Sequence, residues 1–329
     1  MSKLYYAYLL CFIFLMTSLT SSSQDWVDNL HPYSSEKVKI TDGIFDSERN
    51  RYIITGNFTD TLYFDSSKKI VADSLEKTFL ASFDKNFNHQ WTYEIGGKYK
   101  ETLSNLDINS NGDIYLTGMF QSSECAFGKT PDTTLLSDNS RDNYLAKFSS
   151  SGELQWVKHI GSNSDMQFGG KIFVDDEDNI VLSQDYISSI TLSDHSFDTT
   201  LYSNSSGAFS SLLVKLDFKG NIFSDDIYNI GTNSFISFQG LQQHSDNYYF
   251  SGQFKDSVFF KSNKLLSTSS SRDIFLLKTD KNLNDIWLRR TYGNYNDFPG
   301  SITNDRFGNV YLTGFFNSTD YKIPVIVFL

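Results

Sequence analysis

Ile114-Tyr115-Leu116-Thr117-Gly118-Met119-Phe120 is a run of β-branched and aromatic residues ending in Thr-Gly-x-Phe. The chain repeats it as Tyr52-Ile-Ile-Thr-Gly-Asn-Phe58, Tyr248-Tyr-Phe-Ser-Gly-Gln-Phe254 and Val310-Tyr-Leu-Thr-Gly-Phe-Phe316. A weaker copy, Ile180-Val-Leu-Ser-Gln-Asp-Tyr186, has Gln184 in the glycine position. From Gly56 through Gly118, Gln184 and Gly252 to Gly314 the spacings are 62, 66, 68 and 62 residues. Five units at nearly constant spacing mark a repeat architecture, in which each unit is one supersecondary element that buries its apolar face against its neighbours.

A second landmark keeps the same period. Phe79-Leu-Ala-Ser-Phe-Asp84, Tyr144-Leu-Ala-Lys-Phe-Ser149 and Phe275-Leu-Leu-Lys-Thr-Asp280 each precede a tryptophan by seven residues, at Trp91, Trp156 and Trp287. In the third unit Leu213-Val-Lys-Leu-Asp217 leads to Ser224 instead, and Trp26 opens the series. Each unit therefore reads as four short strands, a to d. Strand a ends near Asp46, Asp107, Asp175, His244 and Asp305, a tight turn leads into the Thr-Gly strand b, a long polar connection follows, and strands c and d complete the unit. Asn111-Gly112 and Gly308-Asn309 tolerate φ > 0 and suit such turns. Four prolines and no sustained helical period leave an all-β chain. Four-stranded up-and-down sheets at a fixed period imply radial packing, so the expectation is a β-propeller of about five four-stranded blades spanning residues 24–329. The tryptophans are expected between blades. At the ends, Trp26 reads as a strand d without a strand c, and Val325-Ile-Val-Phe-Leu329 as a strand c without a strand d. Either the ring is closed by N-terminal strand exchange, or the last repeat is truncated.

The units resemble the bacterial β-propeller repeat known as SBBP. Gly308-Asn309-Val310-Tyr311-Leu312-Thr313-Gly314-Phe315-Phe316 carries the resemblance, as does Asp142-Asn143-Tyr144-Leu145-Ala146-Lys147-Phe148 followed by Gly152-Glu-Leu-Gln-Trp156. The resemblance covers essentially the whole mature chain. It implies a secreted or surface-displayed propeller and brings no conserved chemistry.

Lys3, the apolar run Leu4 to Met16 and the polar segment Thr17 to Ser23 have the three-part layout of a secretory signal peptide at residues 1–23, too short to span a membrane. Cys11 follows Leu9 and Leu10 and does not satisfy a lipoprotein box. Without the leader Cys125 is the only cysteine, so no intrachain disulfide can form and the core must hold the fold. Aromatics at 16 % supply that core. A formal net charge of −11 argues against nucleic acid and anionic lipid, which reward Lys/Arg clusters.

No catalytic constellation stands out. His31, His89, His159, His195 and His244 are scattered, and neither a zincin motif nor a nucleophile elbow nor a phosphate loop is present. Asp107-Ile-Asn109-Ser-Asn111-Gly112 opens like a calcium loop, but its twelfth position is Gly118 where a bidentate glutamate is required. Asp84, Asp217 and Asp280 read as Asx caps of the c–d turn. Counting nine or ten residues on from each tryptophan gives Glu36, Glu101, Asp165 and Asp297, with Phe168 and Tyr295 close by. Connections from d to a share one face of a propeller, so these residues are expected at a channel rim suited to a calcium ion, a basic peptide or a sugar. The expected function is a secreted or cell-surface, non-enzymatic binding scaffold for a protein or glycan ligand, with no required cofactor. The alternative is a polysaccharide-active hydrolase with paired carboxylates in the channel.

Overall fold

The computed structural model describes residues 33–34 and 36–317, except 65–67, 73–75, 100, 129–132, 138–140, 162–166, 194–197, 204–206, 233, 262, 268–270 and 292. Residues 1–23, expected as a leader, lie outside the described residues, as do Trp26, Asp165 and residues 325–329. The chain is all-β. It begins with β1 (Tyr33–Ser34), β2 (Val38–Asp46), β3 (Arg51–Phe58), β4 (Thr61–Tyr63), β5 (Lys69–Val71), β6 (Lys77–Asp84) and β7 (His89–Gly96). The second unit supplies β8 (Glu101–Ile108), β9 (Ile114–Phe120), β10 (Glu124–Phe127), β11 (Thr133–Leu136), β12 (Asp142–Phe148) and β13 (Leu154–Ile160). The third gives β14 (Gln167–Val174), β15 (Ile180–Ile187), β16 (Ser189–Ser193), β17 (Asp198–Tyr202), β18 (Phe209–Leu216) and β19 (Ile222–Gly231). The fourth gives β20 (Phe235–His244), β21 (Asn247–Lys255), β22 (Ser257–Phe260), β23 (Asn263–Leu266), β24 (Arg272–Asp280) and β25 (Asp285–Arg290). The fifth shows β26 (Asp297–Asn304) and β27 (Val310–Phe316).

Strands a to d of the first four units form antiparallel up-and-down sheets: β2-β3-β6-β7, β8-β9-β12-β13, β14-β15-β18-β19 and β20-β21-β24-β25. β26 and β27 pair as the first half of a fifth. Each long polar connection b–c holds a short hairpin, β4-β5, β10-β11, β16-β17 or β22-β23. Three of them follow a residue at positive φ, Asp60, Ser188 or Asp256, whose carbonyl accepts the amide that closes the hairpin, from Ala72, Ser203 and Ser267. The hairpins bury alternate side chains, among them Leu62, Cys125, Phe127, Ile190, Leu192, Val258 and Phe260.

The Thr-Gly-x-Phe motif has a packing cause. Gly56, Gly118 and Gly252 pair with Phe79, Tyr144 and Phe275 on strand c, and a Cβ at any of the three glycines would meet the ring at 2.9 Å or less. The preceding threonine fixes the strand, since Thr55 and Thr117 donate to the carbonyls of Phe79 and Tyr144 at 2.8 and 3.0 Å. In the third unit Gln184 replaces the glycine and its partner is Leu212, with no ring to accommodate. Each strand a carries a β-bulge near this level, between Ile40 and Asp42, Leu103 and Asn105, Phe168 and Lys171, Phe238 and Gly240, and Pro299 and Ile302; in all but the third unit it directly follows the residue paired with the motif glycine. A bulge sharpens local twist and re-aims the residue that follows it.

Consecutive sheets stack face to face, with strands a in contact in the order β2, β8, β14, β20, β26. Large apolar clusters fill the first three seams, around Leu80 and Leu116, around Leu182 and Tyr115, and around Phe250 and Phe238. The fourth seam holds a smaller one around Tyr249, Leu276 and Ile302. The tryptophans lie at these seams. A Cβ at Gly152, in the next unit's c–d turn, would meet the Trp91 ring at 2.6 Å, and one at Gly220 would meet Trp156 at 3.2 Å. Asp84, Asp217 and Asp280 cap their turns, each accepting two backbone amides and an asparagine Nδ2. Among the described residues no helix is long and apolar enough to cross a membrane.

Candidate functional site

The bulges turn one residue of each strand a, Asp42, Asn105, Lys171, Gly240 and Ser301, into a shared level. All five, with residues just beyond them, line one cavity of about 400 Å³. A second cavity of about 520 Å³ shares Asp107, Phe173 and Gln242 with it and reaches Asp175, Gln243, His244 and Ser245 at the a–b turns. The paired cavities therefore run along strands a toward the a–b face.

Part of the lining is committed to joining sheets. Asp42 accepts from Asn105 Nδ2 and the Leu106 amide at 2.6 and 3.0 Å. Asn105 Oδ1 accepts the Ile172 amide at 2.8 Å and Asp107 accepts the Val174 amide at 2.7 Å. One residue after another thus bonds the backbone of the next sheet. Asp107 stays partly exposed as a residue, yet its carboxyl is tucked against the neighbouring strand, and burial pushes its pKa up to about 6, with the Asp42 charge acting the same way. Asp175 is buried and accepts from Tyr248 Oη at 2.6 Å, with Lys215 Nζ at 3.4 Å.

Three further polar residues, Lys171, Gln239 and Gln242, line the same cavity. Lys171 takes the place that Asp42 and Asn105 hold in the preceding sheets, and its charge acts on the buried Asp185 carboxyl of the same sheet. Gln239 and Gln242 donate their Nε2 groups to Ser237 Oγ and to the Gln243 carbonyl at 2.9 and 3.0 Å.

Of the rim residues expected from sequence, the described ones, Glu36, Glu101, Phe168, Tyr295 and Asp297, line neither cavity. Glu101 and Asp297 start β8 and β26 and are fully buried. Glu101 takes a hydrogen bond from Ser122 Oγ, and burial raises its pKa. Asp297 accepts the Asn317 amide at 3.1 Å. Glu36 is exposed and accepts from Thr59 Oγ1 at 3.4 Å, Tyr295 is exposed, and Asp165 lies outside the described residues. Phe168 joins a half-buried chain of rings, 4.9 Å from Phe209, which is 5.0 Å from Phe235, with the Arg272 guanidinium 4.0 Å over the last ring. Beneath that seam Asp185 is buried, accepts from the hydroxyls of Ser211 and Ser237, and has its pKa pushed up to about 7 by burial.

Sequence reasoning missed Asp42, Asn105, Asp107 and Lys171. The signal was present, because the post-bulge residues stand twelve to fourteen positions before the motif glycine or Gln184. Asp107 stands one residue before the end of β8, where the sequence puts the end of strand a, and Asn109 closes the turn that follows, its Oδ1 accepting the Asp113 amide. Among the described residues no group of three or more His, Cys, Asp or Glu side chains is arranged to hold a metal ion. No protein-family model matches the chain, and no curated protein is significantly similar to it.

Proposed function

We propose that the chain is a secreted or surface-displayed β-propeller of the SBBP type that acts as a non-enzymatic binding scaffold, with its ligand, a glycan or a peptide, entering the central cavity from the a–b face. The observation that carries this reading is the polar cavity bordered by a strand a from all five units, with Lys171, Gln239 and Gln242 in its lining. A concave site with few convergent polar groups on a rigid β frame is a binding site by default. The experiment is a glycan array and a peptide array screened with the mature chain. A ligand whose affinity drops about tenfold or more in Lys171→Ala and Gln242→Ala, with melts unchanged, supports the reading; one tenfold is the loss of about one charged hydrogen bond. No ligand, or one indifferent to both substitutions, overturns it.

The hydrolase reading draws on Asp42 and Asp107, two carboxylates on one cavity with one of them desolvated. It ranks second because both are already engaged by backbone amides of their own or the next sheet. Release of reducing ends from a polysaccharide by wild type, abolished in Asp107→Asn, would reverse that order.

A further inference from the structure

The third seam, at the end of the sheets opposite the a–b turns, gathers three aromatic rings and two cations. Phe168 and Asp185 stand opposite one another on β14 and β15, and Phe209 begins β18 two residues before Ser211, the residue opposite Asp185. Alternation along a strand therefore puts Phe168, Asp185 and Phe209 on one face of the third sheet. On the fourth sheet Phe235, Lys255 and Arg272 lie opposite one another across β20, β21 and β24. Opposite residues of an antiparallel ladder share a face, with Cβ atoms about 5 Å apart. The contact of Phe235 with Phe209 turns that face toward the third sheet. The three rings and the two cations are half-buried, and none of them lines the central cavities.

These cations differ from the other charges at this end of the sheets. Where strand c begins, Lys77, Asp142 and Asp273 are matched on strand d by Glu94, His159 and Arg290. Arg272 precedes Asp273 and so points to the opposite face, where its guanidinium lies 4.0 Å over the Phe235 ring. Among the described residues neither the Arg272 guanidinium nor the Lys255 ammonium makes a hydrogen bond or an ion pair. Stacking uses a face of the guanidinium and leaves its in-plane N–H fork for an acceptor. The fork sits on a fixed strand, because β24 is paired on both sides and the Arg272 amide donates to Asn296 Oδ1 at 2.9 Å. Asp185, the carboxyl beneath the rings, accepts from Ser211 and Ser237, and burial pushes its pKa up to about 7. At pH 6 it is therefore protonated and does not cancel the two positive charges.

We propose that this end of the third seam is a second binding site, for an acidic saccharide whose uronate carboxylate is held by Arg272 and Lys255 while its sugar ring lies on Phe168 and Phe209. A guanidinium fork matches a carboxylate with two parallel hydrogen bonds. The negative faces of aromatic rings attract the C–H side of a sugar ring. In a chain of net charge −11 two neighbouring cations beside half-buried rings fit an anion that also has an apolar face. An acidic peptide would bring the same charge, but extended peptides draw their affinity from a free strand edge. β21 and β24, which carry the cations, are paired along both edges. The site lies at the opposite end of the sheets from the a–b mouth and does not rest on the reading of the central cavity.

Titration calorimetry at pH 6 with oligogalacturonate, its neutral methyl ester and oligoglutamate is the test. The proposal expects oligogalacturonate to bind, and the ester and the oligoglutamate to bind about tenfold or more weakly. It expects Arg272→Ala to weaken oligogalacturonate about tenfold or more, the loss of one charged hydrogen-bonded contact. Phe209→Leu, which keeps an apolar side chain but removes the ring, should weaken it about threefold or more. Melts of each variant accompany the titrations, and Lys255→Ala, expected to weaken binding about fivefold, carries the comparison if Arg272→Ala folds poorly. Lys171→Ala should leave this affinity unchanged, so the site and the central cavity fail separately. Equal binding of oligoglutamate would make the ligand an acidic peptide and overturn the saccharide assignment. No binding, equal binding of the ester, or an affinity indifferent to both cation variants overturns the site itself.

Discussion

At the residue scale the motif glycines and their rings are one device, and Tyr144 shows its limits. Its ring covers Gly118 as Phe79 and Phe275 cover theirs, but its hydroxyl is buried and has no hydrogen-bond partner among the described residues. A buried polar group without a partner forfeits its hydration for nothing. Tyr144→Phe should therefore stabilise the chain by about 1 kcal/mol, read as a higher urea midpoint at constant slope. Gly118→Ala should cost about 2 kcal/mol or more, because its methyl would sit 2.4 Å from Tyr144 Oη in a rigid seam. Asp185 supplies a pH dependence. Its folded-state pKa of about 7 lies above the ordinary carboxyl value of 3.8, so between those values the folded chain holds more protons than the unfolded one. Stability from this group is complete below about pH 4 and is lost as pH rises through 7. Asp185→Asn should gain on wild type progressively from pH 4.5 to 7.5, by on the order of 3 kcal/mol across the range. A constant difference between the two melts at every pH would show that Asp185 titrates normally.

At the scale of the element, the third unit tests whether glycine and ring are chosen together. Gln184 faces Leu212, donates to Thr117 Oγ1 of the preceding sheet at 2.8 Å, and leaves room for its side chain through Gly170. Leu212→Phe alone should clash with the Gln184 side chain, and Gln184→Gly alone should leave a gap, each destabilising by about 2 kcal/mol. The double variant restores the pairing of the other units and should recover about 1 kcal/mol or more relative to the sum, a coupling measured by a double-mutant cycle in urea. Independent, additive losses would mean that the two positions do not read each other. The strands themselves were legible because each carries its period and its turn residues in the sequence. The b–c hairpins were not, although Leu62-x-Phe64, Cys125-x-Phe127, Ile190-x-Leu192 and Val258-x-Phe260 alternate as strands do, because four residues inside polar connections are too short a run to weigh against their surroundings. The c–d turns hide a similar point. Phe87 and Leu283 take positive φ where the other units have Gly152 and Gly220, and they bear that strain because one stacks on Tyr52 at 4.7 Å and the other is wholly buried. The candidate site was the least legible part. Counting from tryptophan finds where strand a starts, and residues there are buried to seal the sheet, whereas the cavity is lined a turn of the chain later, after a bulge that no local pattern announces.

At the scale of the whole molecule the seams are unequal. The first two are joined by side chains on strands a that accept backbone amides of the next sheet, from Asp42, Asn105 and Asp107. The third replaces that stitching with two buried carboxylates, Asp175 bound to Tyr248 and Asp185 bound to Ser237. At the fourth seam Gly240 and Ile302 meet closely, His244 packs on Gly308, and the apolar cluster has three fully buried members where the others have many more. Stacked repeats hold one another through nearest-neighbour interfaces, so the element with the weakest interface opens first. Amides of β26 and β27 should then exchange through a sub-global opening of lower free energy than those of β9, β15 and β21. Altering the contact is the complementary experiment. Gly240→Ala is excluded, since its Cβ would lie 2.7 Å from Ile302 Cγ2, but Ile302→Val should lower the opening free energy of β26 and β27 by about 1 kcal/mol and leave β9 untouched. Equal protection in all five sheets, with Ile302→Val felt equally everywhere, would mean that the stacked sheets open only as a whole and that seam size does not set their order of failure.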